Sequence, residues 1–136
     1  MLLREDLYYT IDTLNNAGVR VWVVKQIPEQ VTDPVRQLAW ASITGGETDQ
    51  LGVSLIEHQK KYIACDNDLL DGLRPPRATV LDPTAVFFNT KGYCQLESGG
   101  KLIFYDRDHL TDFGTQSLVP VLAPMFESIS RRRDGN

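Results

Sequence analysis

VRVWVVK, Val19 to Lys25, decides the fold class. The run is β-branched and aromatic and, apart from Arg20, apolar on both faces. A strand with that pattern is covered on both sides, as in a parallel sheet. Trp22 reads as core filler. Pro28 ends the strand, and the tip from Gln26 to Glu29 lies where α/β sheets place ligands. Ala78 to Leu81 repeats the pattern as a second short strand, again apolar on both faces.

Helices surround these strands. Leu3, Leu7, Ile11 and Leu14 share a face at helical spacing, so residues 3–17 read as a helix stopped by Gly18 in a left-handed conformation. Asp33-Pro34 starts another, with Asp as N-cap and Pro at the first helical position. It runs to about Thr44, with Val35, Leu38 and Ala39 inward, Trp40 partly so, and Gly45-Gly46 as its stop. Residues 47–50 form a polar loop. A further helix is expected from Leu51 or Gly52 to about Leu73, with room for a break at Asp66-Asn67. Its apolar side is Leu55, Tyr62, Ile63, Leu69 and Leu70, and His58 reads as an exposed helix histidine. Pro75-Pro76 closes this helix.

After the second strand, Asp82-Pro83-Thr84 turns the chain into a short helix through Val86 and Phe87. Two arms, Cys94–Ser98 and Lys101–Tyr105, flank Gly99-Gly100 and form a hairpin. From Thr111 to about Arg131 the pattern is helical, with Leu118, Leu122, Met125 and Ile129 on one face. Pro120 and Pro124 predict a kink or two shorter pieces. The order is α/β, with a parallel pair joined by a long right-handed crossover. Two parallel strands make a very small sheet for strands that look buried on both faces; sheets have roughly 4–6 strands. The missing neighbours are expected from residues outside this chain or from a second chain, so residues 1–136 read as the C-terminal part of a larger α/β domain.

Composition bounds the rest. The chain has 136 residues, 42% hydrophobic and 24% charged, enough for one domain of ordinary soluble type. Its net charge of −4 gives no general pull toward nucleic acid or anionic lipid. The Arg131-Arg132-Arg133 run reads as cations in the last turn of a helix. No run approaches the ~18 apolar residues of a membrane span, and Met1 to Glu5 lacks signal-peptide character, so the chain as written is expected in the cytoplasm. Cys65 and Cys94 fit no zinc pattern; buried free thiols are the default reading, with a bridge open only in an oxidising compartment.

The hairpin's second arm delivers YDRDHLTDFG, Tyr105 to Gly114. Asp106 and His109, three apart on one turn, fall on the same side of the backbone, about 5–6 Å between Cβ atoms. That suits a carboxylate holding one imidazole nitrogen while the other faces a nucleophile. A loop-to-helix junction with Asp106 capping backbone amides is the plainer alternative. A metal site on Asp106, Asp108 and His109 is set aside, because three ligands this close on one turn rarely face one ion.

The segment GGKLIFYDRDHLT, with an aromatic before Asp106 and Leu-Thr after His109, resembles the last motif block of SGNH (GDSL-like) hydrolases and acyltransferases. The nearest likeness is to the SGNH domain behind multi-span membrane acyltransferases that O-acylate bacterial cell-surface glycans. Upstream, AGVRVWVVKQIPE, the following Asp-Pro and the strand ending Leu81-Asp82-Pro83 resemble that domain in the same order, from about Leu7 to Ile129.

The resemblance implies a C-terminal part of a three-layer flavodoxin-like (SGNH) fold with a small parallel sheet, a β-hairpin and flanking helices. It implies His109 as general base, Asp106 as its orienter, and transfer or hydrolysis of an acyl ester, acetyl first, with no cofactor or metal. It implies an acylated glycan or acyl donor and a membrane acyltransferase domain as partners, and a periplasmic or extracytoplasmic site in the parent. A homodimer or other binding module built from an inactive remnant is the competing expectation. The family nucleophile sits in an earlier Gly-Asp-Ser block with no match here. Ser42, Ser54, Ser98, Ser117, Ser128 and Ser130 all lack that context, so the chain alone is expected to be catalytically silent. Cys94 fits the family's cysteine before the hairpin, and Cys65 is then its one candidate partner.

Overall fold

A computed structural model describes residues 2–133, without the side chains of residues 2 and 131–133. The Arg131–Arg133 side chains therefore lie outside the described residues. Helix α1 spans Leu2–Asn16, and Gly18 follows at φ 79°, the left-handed stop the sequence predicts. Strand β1 is Trp22–Val24, and β2, Thr79–Leu81, pairs with it in parallel, Trp22 opposite Thr79 and Val24 opposite Leu81. Between them lie α2, Pro34–Thr44, and α3, Leu55–Leu70. A short α4, Thr84–Phe87, leads to the hairpin of β3, Glu97–Ser98, and β4, Lys101–Leu102. The described chain ends in α5, Asp112–Gln116, and α6, Val119–Arg133.

Local chemistry sets the helix ends. The Asp33 carboxylate accepts from the Arg36 amide at 2.9 Å and Pro34 occupies the first turn, as the sequence predicts. Helix α3 begins later than expected because Ser54 and Glu57 form a capping box: the Ser54 hydroxyl accepts from the Glu57 amide and the Glu57 carboxylate from the Ser54 amide. It runs unbroken through Asp66-Asn67. The C-terminal helical stretch does divide, but at Ser117-Leu118. Pro120 falls in the first turn of α6, where a missing N–H costs nothing, and Pro124 lies within it.

Two apolar clusters hold the elements. Ile11, Leu73 and Ala78 pack with Leu7, Val21, Val23 and Val80, fixing α1 against the parallel pair. Leu38, Val53, Phe87, Cys94, Leu96, Ile103 and Phe104 form the larger cluster, with the Phe87 and Phe104 ring centroids 5.8 Å apart.

Several faces differ from the sequence reading. Of the four apolar residues expected on one face of α1, Leu7 and Ile11 turn inward, whereas Leu3 and Leu14 are exposed. On α2 the buried residues are Pro34, Leu38 and Ala41, while Val35, Ala39 and Trp40 face out. Ile63 is exposed. β1 is not covered on both faces: Val24 is 45% exposed, and Val19, upstream of the strand, is 47% exposed. Its apolar pattern exceeds what the described neighbours cover. His58 is the clearest reversal. It is 7% exposed, with its ring against Tyr62 and Phe88 at 5.1 and 5.6 Å, because α3 turns that residue onto the segment after β2.

Candidate functional site

The Tyr105–His109 loop is closed by its own backbone. The Tyr105 amide donates to the His109 carbonyl at 2.8 Å, Phe104 and Leu110 form an antiparallel bridge, and the Thr111 amide donates to the Ile103 carbonyl at 3.0 Å. Ile103 and Phe104, both buried, anchor the incoming side. Thr111 caps α5: its hydroxyl accepts from the Gly114 amide at 3.0 Å and donates to the Leu102 carbonyl at 2.6 Å. Gly114 is required by close approach, since a Cβ there would stand 2.0 Å from the Ile103 carbonyl oxygen. Strand, loop and helix are thus locked together on either side of the Asp-x-x-His sequence.

Inside this frame Asp106 does both things the spacing allowed. Its Oδ1 accepts from the Asp108 and His109 amides at 3.0 and 2.9 Å, which fixes the carboxylate. Both of its oxygens lie 3.0 Å from His109 Nδ1. The Asp108 amide, then the His109 ring and amide, hold the Asp106 carboxyl down at about 2. The carboxylate in turn raises the His109 pKa, chiefly through its bond to the ring and then through its charge, with Asp108 adding to it. Nδ1 is thereby the protonated nitrogen of the neutral ring. Nε2 has no hydrogen-bond partner among the described residues, and the His109 side chain is 72% exposed. Such a ring can take a proton at Nε2 from a group brought against it.

The loop is also docked on the segment following β1. The Gln30 amide donates to the Arg107 carbonyl at 2.7 Å, and Arg107 Nε donates back to the Gln30 carbonyl at 2.9 Å. Arg107 also pairs with Glu29 at 3.2 Å, and that carboxylate accepts from Lys61 at 2.5 Å and from the Tyr62 hydroxyl at 3.1 Å. Gln30 is 2% exposed: its Oε1 accepts from the Val53 amide at 3.0 Å and its Nε2 lies 3.3 Å from both the Pro28 carbonyl and Cys94 Sγ. The sequence reading placed a ligand-facing tip at Gln26–Glu29 but missed Gln30, Arg107 and Glu29 as the supports of the His109 loop. A polar glutamine beside a proline carries no signal of burial.

The serines are elsewhere. Ser54 caps α3, and Ser128 and Ser130 donate to the Met125 and Phe126 carbonyls. Among the described residues no hydroxyl or thiol is hydrogen-bonded to His109. Ligand atoms of Asp106, Asp108 and His109, three residues set aside as a metal site because such close ligands rarely face one ion, lie within 4.8 Å of one another. The His109 atom concerned is the Nδ1 already shared with Asp106 and Asp108. A cation there would compete with that proton. Cys65 is exposed, not buried as expected by default; Cys94 is buried, and burial pushes its thiol up to about 12. Both are free thiols in this structure. No helix among the described residues is long and apolar enough to cross a membrane.

Comparison with known proteins agrees with this architecture. No curated protein matches the chain in sequence. Among solved structures, the periplasmic domain of the lipopolysaccharide acetyltransferase of Salmonella ser. Paratyphi A superposes with a TM-score of 0.63 at 16% identity. The match covers 88% of this chain and 47% of that one, so the chain spans about half the length of that domain. The shared fold is of the SGNH type, with the small parallel sheet and hairpin described above. A family model for the SGNH domain fused to AT3 domains matches residues 3–124, and the chain belongs to that family.

Proposed function

We propose that this chain is the Asp–His half of an SGNH acyltransferase or esterase domain, with His109 as general base and Asp106 as its orienting carboxylate. The observation that carries the reading is the pair of 3.0 Å contacts from Asp106 to His109 Nδ1 with Nε2 left without a partner. In this reading His109 Nε2 removes the proton of a serine hydroxyl, whose oxygen attacks an acyl ester carbonyl. The alcohol leaves with that proton, and water or a sugar hydroxyl then takes the acyl group from the serine. The nucleophile and the oxyanion donors come from an earlier block outside residues 1–136, so these residues form one partial domain that is inactive alone. Loss of a triad nucleophile costs on the order of a millionfold in turnover.

The membership in a family fused to AT3 domains supports a membrane acyltransferase domain as the partner in the parent, and the likeness to a periplasmic domain supports an extracytoplasmic place of work. The likeness to a lipopolysaccharide acetyltransferase domain supports a cell-surface glycan as the acyl acceptor and acetyl as the acyl group. The test is to restore several hundred bases of upstream coding sequence in frame and assay ester hydrolysis. Activity abolished by either His109→Ala or replacement of an upstream Gly-Asp-Ser serine supports the reading. Absence of any such block upstream would sink it.

A second reading, an inactive remnant that binds a partner or itself, is favoured by one observation. Trp40 and Ile43 on α2 are 68% and 79% exposed, and Val31 just before it is 65% exposed. Light scattering on the purified chain tests it. A dimer that Trp40→Glu returns to monomer would support self-association, and a monomer at all concentrations would refute it.

A further inference from the structure

The direction of the His109 ring and the location of its loop have different sources. Direction is set inside the loop. Asp106 holds Nδ1, the Tyr105 amide closes on the His109 carbonyl at 2.8 Å, and the carboxylates that raise the His109 pKa, Asp106 first and then Asp108, both belong to the loop. Location is set from outside. Among the described residues, the hydrogen bonds and ion pairs that tie Tyr105–His109 to anything beyond the hairpin and α5 all run through Arg107.

Arg107 docks at two points on a single residue. Its carbonyl accepts from the Gln30 amide at 2.7 Å, and its Nε donates to the Gln30 carbonyl at 2.9 Å. Gln30 is a firm reference, 2% exposed and tied by its side chain to the Val53 amide and Cys94 Sγ. The same guanidinium turns an Nη to Glu29 at 3.2 Å. Its donors point in fixed directions from one plane, so it meets Gln30 and Glu29 together, which a lysine ammonium does not reproduce. Glu29 is held in turn from α3, by Lys61 at 2.5 Å and the Tyr62 hydroxyl at 3.1 Å. Lys61 already balances the Glu29 charge, so what Arg107 adds is the fork and not the neutralisation. Glu29 and Gln30 follow the C-terminal end of β1, the end of a parallel strand where ligands bind. The clasp therefore fixes the His109 loop relative to that end of the sheet.

We propose that Arg107 is a positioning residue for the acyl-transfer reaction: its clasp on Gln30 and Glu29 sets where His109 Nε2 stands, while Asp106 sets which way the ring points. The kinetic consequence rests on the acyl-transfer reading. The structural consequence rests on this chain alone.

The test begins with amide hydrogen exchange and histidine titration by NMR on the 136-residue chain and its Arg107→Ala, Arg107→Lys and Glu29→Ala variants. In Arg107→Ala the Gln30 amide is expected to exchange about tenfold faster, as a local opening of the clasp. The Tyr105 and His109 amides, bonded within the loop, should keep their wild-type rates, and the His109 pKa should stay raised. Glu29→Ala should show a smaller acceleration, because the two bonds to Gln30 remain. Arg107→Lys, which keeps the charge and the stem, should behave like Arg107→Ala, and it carries the test if the alanine variant does not fold. In the upstream-restored protein, Arg107→Ala and Arg107→Lys should lower kcat about 100-fold, the scale of a misplacement of roughly 1 Å, with KM and the histidine limb of the pH profile unchanged. Wild-type exchange at Gln30, equal acceleration at Tyr105 and Gln30, a His109 pKa that falls as far as in Asp106→Asn, or full rescue by lysine would overturn the inference. Loss of His109-dependent activity from the restored wild-type protein, with the exchange pattern as expected, would remove the acyl-transfer reading and leave the clasp standing. An unchanged kcat in an active restored protein would remove the positioning role alone.

Discussion

Asp106 Oδ1 accepts from the His109 amide at 2.9 Å and from the His109 ring at 3.0 Å, so one oxygen fixes both the backbone and the imidazole of the same residue. The ring is therefore oriented by the loop itself and not by distant packing. This explains how a side chain 72% exposed can still be held in one tautomer.

That arrangement sets a titration. The His109 pKa is raised by Asp106, so its contribution to stability is full below the unfolded value of about 6.5 and is lost as pH rises through the higher folded value. The Asp106 contribution has the opposite sense: it is present above about 3.8 and lost as pH falls toward about 2. NMR titration of the imidazole should show a pKa above the ordinary histidine value in the wild type and a lower one in Asp106→Asn. An unchanged value in the variant would mean that the two side chains are apart in solution.

His58 predicts an acid sensitivity of its own. Burial lowers its pKa, so the unfolded chain binds a proton more readily than the folded one. Stability contributed by the neutral ring is present above about 6.5 and is lost as pH falls toward the lower folded value. Urea unfolding followed between pH 7 and pH 5 should show a smaller fall in midpoint for His58→Phe than for wild type. Parallel curves would contradict the buried placement.

The thiols should separate cleanly. Exposed Cys65 is expected to react with Ellman's reagent in the folded chain, whereas Cys94, buried and held at about 12, should react only after unfolding. One equivalent released under native conditions and two in denaturant is the predicted result. None in denaturant without reductant would indicate a Cys65–Cys94 bridge.

Gly114→Ala tests the lock between β4 and α5. The added Cβ would meet the backbone oxygen of Ile103 at 2.0 Å, and a backbone carbonyl in that position cannot move aside alone. A loss of at least ~1–3 kcal/mol is expected, the usual range for overpacking. Denaturant melts would detect it, and a neutral substitution would show that α5 sits farther from Ile103 than described.

Much of this was legible from residues. The Asp33-Pro34 start, the Gly18 and Gly45 stops and the Gly99-Gly100 hairpin are local signals, and each appears in the structure because backbone conformation is decided within a few residues. The contact between Asp106 and His109 is legible for the same reason. Tertiary burial was not. The pattern along α3 predicts a solvent-facing His58, but α3 packs that turn against Phe88. The pattern along α2 predicts a partly inward Trp40, yet Ala41 occupies the inward position and Trp40 is exposed. Gln30 gives no sign of being a buried hub, because its side chain reaches Cys94, 64 positions away, and its backbone pairs with Arg107, 77 positions away.

The most direct test of the central claim is hydrolysis of p-nitrophenyl acetate by the purified 136-residue chain beside its His109→Ala variant. An oriented base without its nucleophile should give the same background rate in both, with circular dichroism showing both folded. A wild-type rate well above the variant's would contradict the account, because it would mean that a serine within these residues, or a second copy of the chain, completes the triad.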